Sequence, residues 1–276
     1  MGNQDMNFIA YQGARIHYYQ VGQGPDVLFI HGAPGSVDDW LPLSDGLAAE
    51  FRLTFYDRPG YGGSDTLKNG YTQVKQADVA LALIDKLNLN HPVVVGHSFG
   101  GSIALAMAIR KPRHIKAFVC VGTRAYPKAK SPMLFHLLKQ PMLGSALLAM
   151  LRRIPELMEP ALVKMFHPNE AGIPPDFVKT RSSLWLANDS MLSLAHEDTN
   201  SSAVLRKISR QYHELEHPFF LVHGEEDRNV PVENAKRLHE DLNKSKLFLL
   251  PGTGHMVQFI RPQELVDIIS TAAGQG

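Results

Sequence analysis

The stretch Pro92-Val93-Val94-Val95-Gly96-His97-Ser98-Phe99-Gly100 decides the fold of this chain. The apolar residues 92–95 predict a buried strand, and the small residues 101–106 predict a helix that follows almost at once. A serine at so abrupt a strand-to-helix break is the Gly-x-Ser-x-Gly nucleophile elbow, in the context that its chemistry requires. We expect a strained serine backbone, which costs about 1–3 kcal/mol and persists where function needs it. Gly96 and Gly100 fit because a Cβ at either position would crowd the turn.

The whole chain has the composition of one globular domain. Its 276 residues are 44% hydrophobic and 20% charged, which favours a single core with an insertion over two equal domains. The formal net charge of +1 gives no electrostatic reason to expect nucleic acid or an anionic membrane as a partner. The one cysteine, Cys120, lies in an apolar run and is predicted to be a buried structural thiol.

The sequence gives no indication of a targeting or membrane-spanning segment. Residues 1–6 lack the basic start and apolar stretch of a signal peptide, and no apolar run is long enough to span a bilayer. We therefore expect a cytoplasmic enzyme.

Apolar strands alternate with helices along most of the chain, and this pattern predicts an α/β fold with a mostly parallel sheet covered on both faces. The first two strands are expected to form an antiparallel hairpin at one edge. Strands are predicted at 8–11, 15–21, 27–30, 53–56, 92–95, 115–121, 219–222 and 247–250. Helices are predicted at 39–50, 72–87, 99–110, 232–242 and 263–272.

The alternation stops between residues 124 and 196. This segment has no convincing strand and is broken by eight prolines, so we expect several short helices inserted after a strand. The predicted organisation is a core of residues 1–123 and 197–276 with a helical cap of residues 124–196.

Ser98 needs a base to take its proton and a carboxylate to orient that base. Asp227 and His255 each follow a predicted strand, where ligands bind in open α/β sheets. The order Ser98, Asp227, His255 predicts a catalytic triad. Glu225 and Glu226 are the alternatives to Asp227, and we interpret them as a solvated acidic turn.

Two backbone N–H groups are predicted to hold the oxyanion of the tetrahedral intermediate. Phe99 follows the nucleophile and opens a helix, so its N–H and the helix dipole point the same way. Ala33 follows the strand at 27–30, and the next residue, Pro34, has no N–H to give. The loop that begins Asp57-Arg58 is expected only to be fixed by hydrogen bonds or an ion pair, with no catalytic role.

Together these stretches resemble the α/β-hydrolase superfamily over nearly the whole chain. The resemblance rests on His31-Gly32-Ala33-Pro34-Gly35, Asp57-Arg58-Pro59-Gly60-Tyr61-Gly62-Gly63-Ser64, Gly96-His97-Ser98-Phe99-Gly100-Gly101, Asp227 and Gly254-His255. It implies an eight-stranded sheet and a helical cap after the sixth strand. The first two stretches are also similar to those of epoxide hydrolases and haloalkane dehalogenases, which carry an aspartate where this chain has Ser98. Prolyl aminopeptidases are similar too, but usually have glycine at the place of Ala33 and tryptophan at that of Phe99.

We therefore predict a serine hydrolase that cleaves small, largely apolar carboxylic esters, with no cofactor and no metal. Six methionines in the predicted cap are interpreted as packing against the core or as an adaptable apolar wall over Ser98: Met133, Met142, Met150, Met158, Met165 and Met191. Trp40 is expected to pack in the core, whereas Trp185 could pack or line the pocket. Hydrolysis of carbon–carbon bonds in aromatic ring-fission products remains an alternative, as does a ligand receptor that retains the hydrolase fold. The oligomeric state is left open.

Overall fold

The computed structural model describes residues 7–110, 112, 114–128, 130–187 and 189–274. Residues 1–6, on which the expected lack of a signal peptide rests, lie outside this set. Among the described residues, one sheet of eight strands has the order β1-β2-β4-β3-β5-β6-β7-β8. The strands are β1 (Asn7–Tyr11), β2 (Ala14–Val21), β3 (Asp26–Ile30), β4 (Arg52–Tyr56), β5 (Val93–His97), β6 (Ala117–Val121), β7 (Phe219–Gly224) and β8 (Ser245–Leu250).

The sheet is parallel except at one edge. The β1–β2 and β2–β4 pairs are antiparallel, and the remaining neighbouring pairs run parallel. This confirms the predicted fold class, the edge hairpin and the eight strands that the resemblance implied. The helices are α1 (Leu41–Leu47), α2 (Gln73–Lys86), α3 (Phe99–Ile109), α4 (Met133–Leu138), α5 (Pro141–Arg153), α6 (Glu159–Lys164), α7 (Phe177–Leu186), α8 (Ser190–Ile208), α9 (Glu233–Asp241), α10 (Val257–Ile260) and α11 (Pro262–Ala272).

Both faces of the central strands are covered, which is why these strands are apolar throughout rather than alternating. In β3, Leu28 and Ile30 join a core with α2 and α3, whereas Val27 and Phe29 join a core with α1 and α11. Trp40 packs on Phe29 with ring centroids 5.1 Å apart, as expected of a core residue.

Cys120 is buried in β6, as predicted. Burial raises the pKa of its thiol to about 12. The thiol therefore stays protonated at neutral pH, as a structural cysteine should.

The predicted helix over residues 39–50 is shorter and begins with a different kind of turn. A 3₁₀ turn, Val37–Trp40, is capped by Ser36, and α1 follows with a proline in its first turn. Proline has no backbone N–H and is tolerated in the first turn of a helix, where that N–H would lack a partner anyway. Pro42 therefore marks the start of α1 inside the segment that the sequence pattern assigned to one helix.

Helices α4 to α8 lie between β6 and β7, and the predicted boundary at 196/197 falls inside the continuous helix α8. The methionines of this region differ in exposure, and Met165 is half-buried. Met158 and Met191 are buried, but Met133, Met142 and Met150 are 71%, 87% and 45% exposed. The expectation that these three pack inward or face Ser98 is therefore wrong. None of the described helices is both long enough and apolar enough to cross a membrane.

Candidate active site

The turn between β5 and α3 has the predicted elbow geometry. Ser98 has φ 54° and ψ −113°, in the half of backbone space that residues with a side chain rarely adopt. Its N–H donates to the carbonyl of Val121 in β6 at 2.8 Å, which fixes the turn against the neighbouring strand. A Cβ on Gly96 would lie 2.5 Å from the Gly100 carbonyl oxygen, and one on Gly100 would lie 2.1 Å from that of Ile30. The turn therefore closes only because both positions are glycine.

Asp227 and His255 meet at the carboxyl ends of β7 and β8. His255 Nδ1 lies 2.6 Å from Asp227 Oδ2, and both side chains are buried. The other carboxylate oxygen accepts the N–H groups of Asn229 and Val230 at 2.8 and 2.9 Å. These bonds fix the carboxylate so that Oδ2 faces the imidazole.

The surroundings favour the ionised form of Asp227. Burial by itself would raise the pKa of this carboxyl, but His255 and His223 hold it below its usual value. An ionised Asp227 accepts a hydrogen bond from the Nδ1–H group of His255, which leaves Nε2 as the basic nitrogen. Of the alternative acids, Glu225 is exposed, and Glu226 instead accepts the N–H of Thr253 at 2.9 Å.

His97 is buried beneath His255. Its Nε2 donates to the carbonyl oxygen of His255 at 3.0 Å, and the two ring centroids are 4.6 Å apart. Burial and the neighbouring His255 lower the pKa of His97 to about 3. His97 is therefore neutral at physiological pH and packs in the elbow.

The predicted oxyanion donors both border the cavity that Ser98 and His255 line. Within the described part of the chain, neither the N–H of Ala33 nor that of Phe99 has a hydrogen-bond acceptor. Arg58 fixes the loop before Ala33, since its guanidinium donates to the carbonyl oxygens of His31 at 3.1 Å and Gly32 at 2.8 Å. Arg58 thus holds the loop in place, while the Ala33 N–H remains available to donate a hydrogen bond to a ligand.

Arg58 also forms a fully buried ion pair with Glu197, a partner that the sequence analysis did not identify. Its Nη1 and Nη2 lie 2.6 and 3.2 Å from the carboxylate oxygens of Glu197 in α8. The Tyr61 hydroxyl donates to the same carboxylate at 2.7 Å. Burial opposes the charge, yet Glu197 raises the pKa of Arg58, so the guanidinium stays protonated. The predicted structural role of Arg58 therefore extends from its own loop to α8.

A cavity of about 350 Å³ opens onto Ser98 and His255. Apolar side chains make up much of its lining: Phe135, Met158, Met165, Trp185, Met191 and Leu194. Trp185 thus lines the pocket. The cavity also has a charged wall of Arg124, Lys128 and Asp198, which the sequence analysis did not single out. The position of Arg124, just after β6 at the carboxyl edge of the sheet, is the signal that could have found it.

The search for metal ligands gave a negative result over the described ranges. Within residues 7–274, apart from the four positions left out, no three His, Cys, Asp or Glu side chains are grouped to hold a metal ion.

With this geometry in view, the chain belongs to the alpha/beta hydrolase fold family, whose model matches residues 25–262. The predicted superfamily is thereby confirmed.

Among curated proteins, the chain is 24% identical over 277 residues to the hydrolase YugF of Bacillus subtilis, covering 92% of each. It is 26% identical over 258 residues to 2-hydroxy-6-oxononadienedioate/2-hydroxy-6-oxononatrienedioate hydrolase 1 of Pseudomonas putida, covering 88% of this chain and 86% of the relative. Among solved structures, an esterase from Exiguobacterium antarcticum superposes with a TM-score of 0.80 at 20% identity, covering 97% of this chain and 99% of the esterase. That structural likeness concerns the fold alone.

Proposed function

We propose that this protein is a serine hydrolase that cleaves small, largely apolar carboxylic esters through an acyl-enzyme. The observation that carries the proposal is the 2.6 Å contact between His255 Nδ1 and Asp227 Oδ2, beside a cavity that Ser98 also lines. A carboxylate, an imidazole and a serine on a strained elbow form the set that nucleophilic acyl transfer uses. The apolar side chains of the cavity support an ester with hydrocarbon character.

In the proposed reaction, Ser98 Oγ attacks the ester carbonyl carbon while His255 Nε2 takes the hydroxyl proton. The Ala33 and Phe99 N–H groups donate to the oxyanion that develops. The intermediate collapses to the acyl-enzyme, and His255 returns the proton to the departing alcohol. Water then attacks the acyl group by the same route and restores Ser98. Asp227 keeps the imidazole in the required tautomer throughout, and no step requires a cofactor.

The helices of residues 124–196 act as a cap in this proposal. This role is supported by the observation that Met158, Met165 and Trp185 line the same cavity as Ser98. Methionine fills irregular space and tolerates varied shapes, so such a wall accepts acyl groups of different outline.

Replacement of Ser98 by alanine tests the proposal. We expect Ser98→Ala to lose nearly all turnover of p-nitrophenyl butyrate and all labelling by a fluorophosphonate, with an unchanged circular dichroism spectrum. Ser183→Ala is the matched control, because Ser183 is an exposed serine of α7 whose hydroxyl donates to the Lys179 carbonyl. Undiminished turnover in Ser98→Ala would place the chemistry elsewhere. Rapid labelling of the wild type, together with many ester turnovers per molecule of unlabelled enzyme, excludes the receptor alternative.

Carbon–carbon bond hydrolysis is the second candidate, because the Pseudomonas putida relative is named for that reaction. The same three residues serve it in principle. A ring-fission product assayed beside the ester panel separates the two candidates: turnover of esters alone excludes the second, and turnover of the ring-fission product alone excludes the first.

A further inference from the structure

The charged wall of the cavity comes from two parts of the chain. Arg124 and Lys128 lie in the loop after β6, and Asp198 lies in α8. All three line the cavity that Ser98 and His255 line. The side chains of Arg124 and Lys128 are 28% and 24% exposed, so both are reachable from the cavity but largely withdrawn from bulk water.

The two cations share one carboxylate, and they share it unequally. Lys128 Nζ donates to Asp198 Oδ1. Arg124 Nη1 lies 3.8 Å from the same oxygen, beyond hydrogen-bond distance. Among the described residues, no acceptor is within hydrogen-bond reach of the Arg124 guanidinium. The planar fork of Arg124, which suits two parallel bonds to a carboxylate, is therefore free.

Two further carboxylates, Glu197 and Asp227, lie near this wall. Glu197 also lines the cavity, but it is paired with Arg58 at 2.6 Å. Asp227 is ionised and close enough to act on Arg124, but it does not line the cavity, and its oxygens are held by His255 and by two backbone N–H groups. The wall itself therefore holds two positive charges against one negative charge. Burial lowers the pKa of Arg124 and of Lys128, as expected for cations that lack solvent and full pairing.

We propose that Arg124, with Lys128 beside it, is an anion-binding subsite, and that the preferred substrates are esters with an apolar spacer and a second, free carboxylate. This inference rests on the proposed ester hydrolysis and adds a substrate class to it. The net charge of +1 on the wall matches a carboxylate of charge −1 better than a phosphate dianion. Half esters of short dicarboxylic acids are the simplest members of this class.

The experiment compares two esters that differ only at one end. Mono-p-nitrophenyl glutarate and p-nitrophenyl pentanoate share a leaving group, and a carboxylate in one replaces a methyl group in the other. We expect the wild type to have the higher kcat/KM for the glutarate. In Arg124→Gln the glutarate-to-pentanoate ratio of kcat/KM should fall about 10- to 100-fold, mostly through KM, the range typical of one lost hydrogen-bonded charge.

Three further variants sharpen the test. Arg124→Lys should recover part of the ratio, because it restores the charge without the fork. Lys128→Gln should also lower the ratio, because Asp198 then pairs with Arg124 and the wall becomes neutral. Arg210→Gln removes an exposed arginine of the 3₁₀ turn Ser209–Glu214 and should leave the ratio as in the wild type.

Failure of this subsite and failure of the proposed function give different results. A wild type that cleaves both esters equally, or an Arg124→Gln ratio equal to that of the wild type, overturns the subsite and leaves ester hydrolysis intact. If neither ester is cleaved, the proposed function fails, and calorimetric binding of glutarate still tests the subsite. Glutarate that binds the wild type no better than Arg124→Gln overturns it in that case.

Discussion

At the scale of single residues, the buried His97 makes the stability of the native state depend on pH. Its buried imidazole has a pKa near 3, against an ordinary value of 6.5 in an unfolded chain. As the pH falls below 6.5, the unfolded chain takes up a proton that the native His97 refuses, so the native state loses stability. Between pH 8 and pH 5 this single group should lower the free energy of unfolding by about 2 kcal/mol.

Replacement of His97 by glutamine checks this expectation. Urea unfolding at pH 8 and pH 5 should show a smaller loss of stability in His97→Gln than in the wild type, by about that 2 kcal/mol. The buried His31, whose pKa burial also lowers, contributes equally to both proteins. An NMR titration of the wild type that shows His97 charging between pH 8 and pH 5 would contradict the prediction.

At the scale of elements, α3 and the end of β3 are pressed together at Gly100. A Cβ there would lie 2.1 Å from the Ile30 carbonyl oxygen and 2.7 Å from that of His31, and backbone atoms cannot move aside cheaply. Gly100→Ala should therefore push α3 away from the loop that carries Ala33. We expect a loss of stability of about 1–3 kcal/mol from overpacking, and a loss of ester turnover larger than stability explains.

A second glycine provides the comparison for Gly100→Ala. At Gly172 a Cβ would meet only the Cδ1 atom of Ile260, at 2.8 Å, and that atom ends a flexible side chain. Gly172→Ala should keep both the melting temperature and p-nitrophenyl butyrate turnover near those of the wild type. If the two alanine variants behave alike, close packing at Gly100 does not have the importance given to it here.

The elements themselves could largely be predicted from the sequence, because their signals are local. Val93, Val94 and Val95 form an apolar run that stops at a glycine, and a helix of small residues follows. Contacts at the carboxyl edge could be predicted in outline, since Asp227 and His255 each lie in the loop that follows a strand. The start of α1 could not, because the 3₁₀ turn depends on Ser36 capping a segment whose apolar pattern continues.

At the scale of the whole molecule, Glu197 joins α8 to the core. Its carboxylate pairs with Arg58, both side chains are 0% exposed, and the Tyr61 hydroxyl adds a third bond. Removal of one partner from such a pair leaves an uncompensated buried charge. Glu197→Gln should therefore lower the free energy of unfolding by about 3–5 kcal/mol.

Chemical denaturation of two variants measures this contribution. The matched change is Glu216→Gln, because Glu216 pairs with Lys244 at the surface, with side chains 71% and 57% exposed. Solvent screens that pair, so the variant should unfold at nearly the wild-type denaturant concentration. Equal midpoints for Glu197→Gln and Glu216→Gln would show that the buried pair is no more important than a surface one.

Sequence reasoning could not reach these long-range partners. Arg58 and Glu197 are 139 positions apart, and Lys128 and Asp198 are 70 apart. Neither Glu197 nor Asp198 differs locally from the exposed carboxylates that are common on helices. Both residues lie in α8, within the segment between β6 and β7, and the helices of that segment have no pairing rule comparable to that of strands. The charged wall therefore became visible only with the coordinates.

The ion pair between Arg58 and Glu197 also holds part of the cavity lining in place, because Glu197 lies in α8 and lines the cavity. Gln73 and Gln76 of α2 donate hydrogen bonds to Ser201 and Glu197, so α8 is anchored at two positions about one turn apart. These bonds hold this part of α8 against the core. We therefore expect an incoming molecule to enter beside the shorter helices that precede α8, above all α4, whose Leu134 lines the cavity and is also 39% exposed.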